Sequence, residues 1–199
     1  MKKQILIGFL AAIFCASLTI GSPAFAALKV GDAAPDFTAA GSLGGKDVSF
    51  HLKDALKKGP VVVYFYPSAY TGGCDLQART FAEESDKFTA AGASIIGVSG
   101  DTLERLQKYS ADPKFCAGKF TVASDSDTKV AASYNLNVRQ PGPGAKDNQG
   151  NPLTHAIIER HTYVIGKNSK IIASMNSAAD GISPVEHVEK SLAIVTAAK

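Results

Sequence analysis

The sequence predicts a single α/β domain in which helices flank a central mixed β-sheet, and three observations support this prediction. The chain has 199 residues, 45% hydrophobic and 20% charged, which suits one folded domain of ordinary size. A continuous β-branched and aromatic run at residues 61–66 is typical of a strand buried on both faces of a sheet. Strand-like and helix-like segments then alternate toward the C-terminus, with no internal repeat.

The elements follow one another along the chain after an extended, proline-punctuated segment at residues 31–37. The predicted strands cover residues 61–66, 93–99, 121–123, 161–165 and 170–175. The predicted helices cover residues 73–88, 101–112, 126–134 and a last helix from residue 184 onward. Ser183 and Glu186 form a capping box around Pro184 at the start of that last helix. Residues 139–154 are rich in Gly, Pro, Asn and Asp, which predicts a long surface loop.

The N-terminus is typical of an export signal. A basic start and an apolar run over residues 5–20 precede a small-x-small cleavage pattern that ends at Ala26. The run is slightly short for a spanning helix, although a permanent N-terminal anchor is the alternative. We therefore predict a removed signal peptide at residues 1–26 and a mature domain at 27–199, located in the periplasm and free of the membrane after cleavage.

Composition and spacing argue against several classes of function. The formal net charge is only +3 and there is no basic run, which argues against a nucleic-acid partner. The sequence contains neither a phosphate loop nor a dinucleotide fingerprint. The four histidines lack metal-ligand spacing, so each is expected to be solvated or locally hydrogen-bonded; they are His51, His155, His161 and His187. We expect a reaction that uses no metal and no other cofactor.

Two cysteines, Cys74 and Cys116, remain in the predicted mature chain. In an oxidising compartment they could form a permanent structural disulfide or a working redox couple, and composition leaves both open. Cys74 follows the loop after the buried strand, where reactive crevices form in open α/β sheets. If Thr71 is the helix N-cap, Cys74 lies in the first helical turn, where backbone N–H groups favour a thiolate. A buried structural cysteine is the alternative interpretation.

The spacing around Cys74 carries a resemblance to a known family. Pro67, Thr71 and Cys74 match the pattern Pro-x-x-x-Thr-x-x-Cys, and the chain resembles the peroxiredoxins in this active-site segment. Residues 31–37 and 160–165 resemble two further segments of the same family, in the same order. The resemblance is strongest to the peroxiredoxin Q, or bacterioferritin-comigratory, type, and it implies a thioredoxin-like fold.

The resemblance also implies an activity and a set of roles. The protein would be a thiol peroxidase in which Cys74, the peroxidatic cysteine, attacks the O–O bond of hydrogen peroxide or a small organic hydroperoxide. The Thr71 hydroxyl would hydrogen-bond the thiolate and the peroxide, while Pro67 would shield the cysteine. Arg160 would stabilise the thiolate and the charge that develops on the leaving oxygen. Without the family context, a solvated residue at the start of a strand is the alternative interpretation of Arg160.

Two positions depart from the pattern of this type. Gly72 stands where a proline is often found, and Arg79 stands where many members carry the resolving cysteine. Resolution would therefore fall to Cys116, to an outside thiol, or to neither. We predict that Cys116 resolves by forming an intramolecular disulfide that a thioredoxin-like protein then reduces, with a free bystander thiol as the alternative. The resemblance further implies a monomer or a weak homodimer.

Two other functions stay open on the sequence alone. A thiol–disulfide oxidoreductase normally needs a second cysteine three residues away, but Thr71 and Gln77 occupy those positions. A protein without enzymatic activity could use residues 139–154 as a partner-binding surface. Gln77 could line the active-site pocket or lie exposed on its helix. Tyr70 could form a wall of that pocket or simply pack.

Overall fold

The structure is a computed structural model that describes residues 26–198, and the predicted signal peptide lies outside these residues except for Ala26. The strands are β1 (Thr38–Leu43), β2 (Lys46–His51), β3 (Val61–Phe65), β4 (Ser94–Ser99), β5 (Thr121–Ser124), β6 (Val138–Arg139), β7 (Ile157–Ile158), β8 (His161–Ile165) and β9 (Ile171–Asn176). The helices are α1 (Leu52–Lys58), α2 (Gly72–Ala90), α3 (Leu103–Ala111), α4 (Lys129–Ser133), α5 (Ser177–Asp180) and α6 (Pro184–Ala197).

Seven of the strands form one mixed sheet in the order β2-β1-β5-β4-β3-β8-β9. The three central strands β5, β4 and β3 run parallel, and every other neighbouring pair in this sheet is antiparallel. Strands β6 and β7 form a separate short antiparallel pair. The predicted mixed sheet with flanking helices is confirmed. Within residues 26–198, no helix combines the length and the apolar character that crossing a membrane requires.

Strand β3 lies at the centre of the core, and all five of its residues are buried. Its side chains alternate between the two faces of the sheet, as strand geometry requires. Val62 and Tyr64 pack among buried residues of α2, α3 and α6, whereas Val63 and Phe65 pack with residues of α1 and α4. The apolar run therefore forms a strand covered by helices on both faces, as predicted.

The sequence analysis did not identify the first three elements, β1, β2 and α1. Gly44 and Gly45 join the two strands in a tight turn with φ values of +58° and +84°, a region that glycine adopts without steric cost. Strand β1 consists mostly of small residues, so it lacks the β-branched and aromatic enrichment that marks a strand in a sequence. Its pairing with β5, far along the chain, stabilises it instead.

The helix predicted at residues 126–134 is shorter in the structure, where α4 covers Lys129–Ser133. Thr128 has a φ of +59°, outside the range of a right-handed helix, so the helix begins after it. The Asp125 carboxylate accepts hydrogen bonds from the backbone N–H groups of Val130 and Ala131, at 3.0 and 2.8 Å. These bonds satisfy N–H groups at the helix start, which is the function of a capping residue.

The last helix, α6, begins as the sequence predicts. Ser183 Oγ accepts a hydrogen bond from Glu186 N at 3.2 Å, and Glu186 Oε2 accepts one from Ser183 N at 2.8 Å. One turn further, His187 is fully buried and bonds Thr162 Oγ1 and Ser177 Oγ, each at 2.9 Å. Burial, followed by the positive charge of Arg160, lowers the pKa of His187 to about 4. The folded protein therefore holds this imidazole in its neutral form.

Acid should weaken the fold through His187. Its pKa is about 4 in the folded state, and the ordinary value of 6.5 applies once the chain unfolds, so only the unfolded state binds this proton between those values. The stabilisation is complete above pH 6.5 and is lost as the pH falls toward 4. We expect His187→Gln to lose about 2 kcal/mol less free energy of unfolding between pH 7 and pH 5 than the parent protein.

Urea unfolding at the two pH values measures this difference. His51→Gln is the matched control, because His51 is partly exposed and its pKa is raised by hydrogen bonds to Asp54 and Asp36. The control should not reduce the loss of stability in acid. If His187→Gln loses as much stability between pH 7 and pH 5 as the parent, the neutral buried imidazole is not responsible.

Candidate active site

Cys74 lies in the first turn of α2, at the carboxyl end of the central strand β3. The helix begins at Gly72 with Thr71 as its N-cap residue, so Cys74 is the third helical residue, as predicted. The side chain is almost fully buried, and its backbone N–H donates to Thr71 O at 2.9 Å. At this position the N–H groups and dipole of a long helix favour a negatively charged sulfur.

Arg160 reaches Cys74 from the neighbouring strand. Strand β8 pairs with β3 in the antiparallel direction, with His161 opposite Phe65, so Arg160 lies where the chain leaves β3. Its Nη2 donates to Cys74 Sγ at 3.1 Å. A guanidinium group at this distance stabilises a thiolate and any negative charge that develops beside it. The structure therefore brings together two of the predicted site residues that lie 86 positions apart.

Gln77 holds the other side of the Arg160 guanidinium. Its side chain is fully buried, and its Oε1 accepts a hydrogen bond from Arg160 Nη1. The two nitrogens of one guanidinium thus contact two residues on the same face of α2, one helical turn apart. The sequence left Gln77 open between a pocket position and an exposed one, and the structure favours the pocket position.

Thr71 and Pro67 lie in the loop between β3 and α2. Thr71 Oγ1 donates to Ser68 O at 2.8 Å, so its single proton is directed at the loop backbone and not at Cys74. The lone pairs of this hydroxyl can still accept a hydrogen bond from a ligand. Pro67 is half-buried at the bend that follows β3. Tyr70 packs with its ring edge against Tyr109, at 5.0 Å between ring centroids.

Cys116 lies in the turn between α3 and β5, which we call the Cys116 turn (residues 112–119). Its side chain is fully buried in the same hydrophobic cluster as Cys74, and both thiols are free. Burial, followed by the negative charges of Asp75 and Asp112, raises the pKa of Cys116 well above its usual range. The structure thus shows two reduced cysteines in one cluster, with Cys116 held as a neutral thiol.

Arg79, which occupies the position where a resolving cysteine was considered, lies on the exposed side of α2. Its Nε donates to Lys114 O at 3.0 Å, which ties α2 to the Cys116 turn. Among residues 26–198 no three His, Cys, Asp or Glu side chains lie close enough together to hold a metal ion.

A second polar cluster holds the loop from its other side, and the sequence analysis did not identify it. At its centre is Asp101, whose fully buried carboxylate follows β4. Its oxygens accept hydrogen bonds from Ala69 N, Ser99 Oγ and Arg105 Nε, each at 2.8 Å. Asp101 lies two residues before the start of α3 and four residues before Arg105. This spacing was the only local signal, and it is equally typical of an exposed helix pair.

Arg105 links Asp101 to a second carboxylate, and His155 also contacts Asp101. Arg105 Nη2 donates to Asp147 Oδ2 at 2.7 Å, and His155 Nε2 lies 2.9 Å from Asp101 Oδ1. Burial lowers the pKa of His155, but the hydrogen bond to Asp101 and its negative charge outweigh burial, so the pKa is raised. The other ring nitrogen faces a second acceptor, Ala156 O, at 2.9 Å, which also favours the charged imidazole. One guanidinium thus bridges two carboxylates, and His155 contacts one of them.

Asp147 shows that residues 139–154 are not simply a surface loop. The segment has almost no regular structure, as predicted, apart from Arg139 at the end of β6 and an isolated bridge between Lys146 and Pro152. Yet the Asp147 carboxylate is buried, because it pairs with Arg105 and accepts backbone hydrogen bonds from Gln149 and Asn151.

Comparison with known proteins gives one consistent family. The sequence profile of the AhpC/TSA family matches residues 30–174. The chain is 34% identical over 174 residues to a chloroplastic peroxiredoxin Q of Arabidopsis thaliana, covering 87% of this chain and 70% of that protein. It is 30% identical over 175 residues to the chloroplastic peroxiredoxin Q of Sedum lineare, covering 88% of this chain and 82% of that protein.

Solved structures agree with the sequence relatives. The crystal structure of peroxidoxin BcpB from Mycobacterium tuberculosis superimposes with a TM-score of 0.70 at 26% identity, covering 86% of this chain and 99% of that one. The predicted thioredoxin-like fold is thereby confirmed. The chain belongs to the AhpC/TSA family and is a peroxiredoxin of the peroxiredoxin Q, or bacterioferritin-comigratory, type, a thioredoxin-dependent thiol peroxidase.

Proposed function

We propose that Cys74 is the peroxidatic cysteine of this thiol peroxidase. The observation that carries the proposal is the 3.1 Å contact between Arg160 Nη2 and Cys74 Sγ, made to a cysteine in the first turn of α2. The Cys74 thiolate attacks one oxygen of the peroxide, and the O–O bond breaks. The sulfur is oxidised to sulfenic acid, while the leaving oxygen takes up a proton and departs as water or as an alcohol.

Arg160 and Thr71 supply the charge and the alignment for this step. Negative charge moves from the sulfur to the leaving oxygen, and the Arg160 guanidinium is close enough to interact with both. Gln77 fixes the orientation of that guanidinium from its other side. The Thr71 hydroxyl donates to Ser68 O, which turns its lone pairs outward as an acceptor for a peroxide O–H group. Pro67 shields the sulfur from bulk water.

Cys116 is proposed as the resolving cysteine. Its thiol condenses with the Cys74 sulfenic acid, which forms the disulfide and releases water. Membership of both cysteines in one hydrophobic cluster supports this pairing. The full burial of Cys116 and its raised pKa require the Cys116 turn to move before the thiol can react. A thioredoxin-like dithiol protein then reduces the disulfide by thiol–disulfide exchange and returns both thiols.

We also propose that the protein is exported to the periplasm through residues 1–26. The support is the basic start, the apolar run over residues 5–20 and the cleavage pattern that ends at Ala26. After expression of the full chain in a bacterium, the intact mass of the periplasmic protein should correspond to a chain that begins at Ala27. A full-length protein in the membrane pellet would contradict cleavage and would favour a permanent anchor.

Intact mass after oxidation tests both cysteine assignments. The reduced protein receives one equivalent of hydrogen peroxide, and we expect a rapid loss of about 2 Da as the disulfide forms. Cys116→Ser should instead gain about 16 Da, because its sulfenic acid has no thiol to condense with. Cys74→Ser is the matched control and should not change rapidly. A gain of about 16 Da in the parent would contradict resolution by Cys116. No rapid change in the parent would contradict the peroxidatic role of Cys74.

Substitutions at two adjacent glycines test the role of Arg160 without replacing Arg160 itself. A Cβ atom on Gly73 would lie 3.3 Å from Arg160 Nη2 and 3.3 Å from Pro184 Cγ, so these neighbours must give way by a few tenths of an ångström. We expect this shift to disturb the contact between the guanidinium and the sulfur. A Cβ atom on Gly72 would meet no atom within 4 Å. We expect Gly73→Ala to slow the reaction of Cys74 with hydrogen peroxide about threefold to tenfold, through a weakened charged hydrogen bond.

Stopped-flow measurement of thiol loss, in the Cys116→Ser background, gives this rate for one cysteine. Gly72→Ala is the matched control and should react at the parent rate. Equal rates for the two alanine variants would show that the Arg160 contact does not limit the reaction.

A further inference from the structure

The backbone of the active-site loop is held by charged groups that the proposed reaction does not use. Three consecutive loop residues contact Asp101 or Arg105. Ser68 Oγ and Ala69 N donate to the Asp101 carboxylate at 3.1 and 2.8 Å. Ala69 O accepts from Arg105 Nη2 at 2.8 Å, and the Arg105 guanidinium lies 5.0 Å from the centroid of the Tyr70 ring. The two side chains thus fix the loop backbone directly before Thr71.

Tyr70 has a strained backbone conformation that these contacts stabilise. Its φ of +58° lies in the left-handed region, which costs a bulky residue about 1 kcal/mol or more and persists only where the surroundings impose it. Tyr70 O accepts a hydrogen bond from Asn148 N at 2.8 Å, on segment 139–154. This segment also supplies Asp147, the second partner of Arg105. The strained residue is therefore held from α3 and from this segment at once.

Thr71 connects the held loop to the reacting groups. Thr71 Oγ1 donates to Ser68 O at 2.8 Å, and Thr71 is also the N-cap residue of the helix that carries Cys74. A displacement of residues 68–70 would therefore move the Thr71 hydroxyl. The contact between Arg160 and Cys74 comes from β8 and does not pass through this loop.

We propose that Arg105 and Asp101 are positioning residues of the peroxidase reaction. They fix residues 68–70 so that the Thr71 hydroxyl aligns the peroxide with Cys74. Asp147 contributes by fixing the Arg105 side chain. The inference rests on the proposed role of Cys74. It assigns a function to segment 139–154, which contributes Asp147 and the hydrogen bond from Asn148 N to Tyr70 O. Because Arg105 is paired with the carboxylates of both Asp101 and Asp147, its charge is directed at these partners and not at the sulfur.

Two reagents separate alignment of the peroxide from reactivity of the sulfur. Hydrogen peroxide needs both the thiolate and a correctly placed Thr71 hydroxyl, whereas a small haloacetamide needs the thiolate and reacts without that alignment. Both rates are measured as loss of the Cys74 thiol in the Cys116→Ser background. We expect Arg105→Met to slow the peroxide reaction about 10-fold to 100-fold and to change the haloacetamide rate less than about twofold.

Graded variants sharpen the comparison. Arg105→Lys keeps the charge but loses the planar fork that contacts Asp101, Ala69 and Asp147 together, so it should recover only part of the peroxide rate. Asp147→Asn removes the negative charge that pairs with Arg105 and should slow the peroxide reaction about tenfold. Arg139→Met is the matched control, because the Arg139 side chain is exposed and donates only to the neighbouring Gln140 O; both of its rates should equal those of the parent.

The outcomes decide between alignment and mere structural support. Circular dichroism and urea unfolding establish that each variant is folded. A folded Arg105→Met protein whose peroxide rate stays within about twofold of the parent, or whose two rates fall equally, would overturn the proposal. If Arg105→Met does not fold, the same criteria apply to Asp147→Asn. A parent protein that reacts with peroxide no faster than a free thiol would overturn the proposed function of Cys74, which is a distinct result from equal rates in a fast parent.

Discussion

The antiparallel register of β3 against β8 is the constraint on which the active site depends. Because Phe65 lies opposite His161, the preceding residue, Arg160, lies beside the point where the chain leaves β3. A slip of one residue would turn its side chain to the other face of the sheet, away from Cys74. The register is fixed by a core strand whose residues are all buried. The 3.1 Å distance between Arg160 Nη2 and Cys74 Sγ thus depends on the hydrophobic packing of β3.

Two arginines divide the work of the site between electrostatics and geometry. No carboxylate among residues 26–198 forms an ion pair with Arg160, which directs its charge at the sulfur. Arg105 contacts two carboxylates and directs its N–H groups at the loop backbone. A charged group without a nearby counter-charge stabilises developing negative charge, whereas a neutralised one provides fixed hydrogen-bond directions at little electrostatic effect on its surroundings. The same side-chain type therefore serves two purposes on opposite sides of one loop.

The sequence predicted the parts of the molecule that leave a local pattern. The apolar run of β3, the N-cap position of Thr71 and the capping box of α6 are each encoded by neighbouring residues, and the spacing of Pro67, Thr71 and Cys74 identified the family. The Asp101 cluster was missed because its members come from four separate segments, and the pairing of Arg105 with Asp147 spans 42 residues. Strand β1 was missed because its stability comes from partners in β2 and β5 and not from its own residues.

The proposed catalytic cycle sets two requirements on the fold that oppose each other. Attack on peroxide favours a buried Cys74 and a rigid loop, whereas disulfide formation requires Cys74 and the buried Cys116 to leave their packed positions. Each of the two segments that must move contains a residue other than glycine in the left-handed region, Tyr70 at φ +58° and Ala117 at φ +50°. Such a conformation costs about 1 kcal/mol or more, and opening the segment releases that strain. Strain at these two positions therefore lowers the cost of opening in the segments where the cycle requires it.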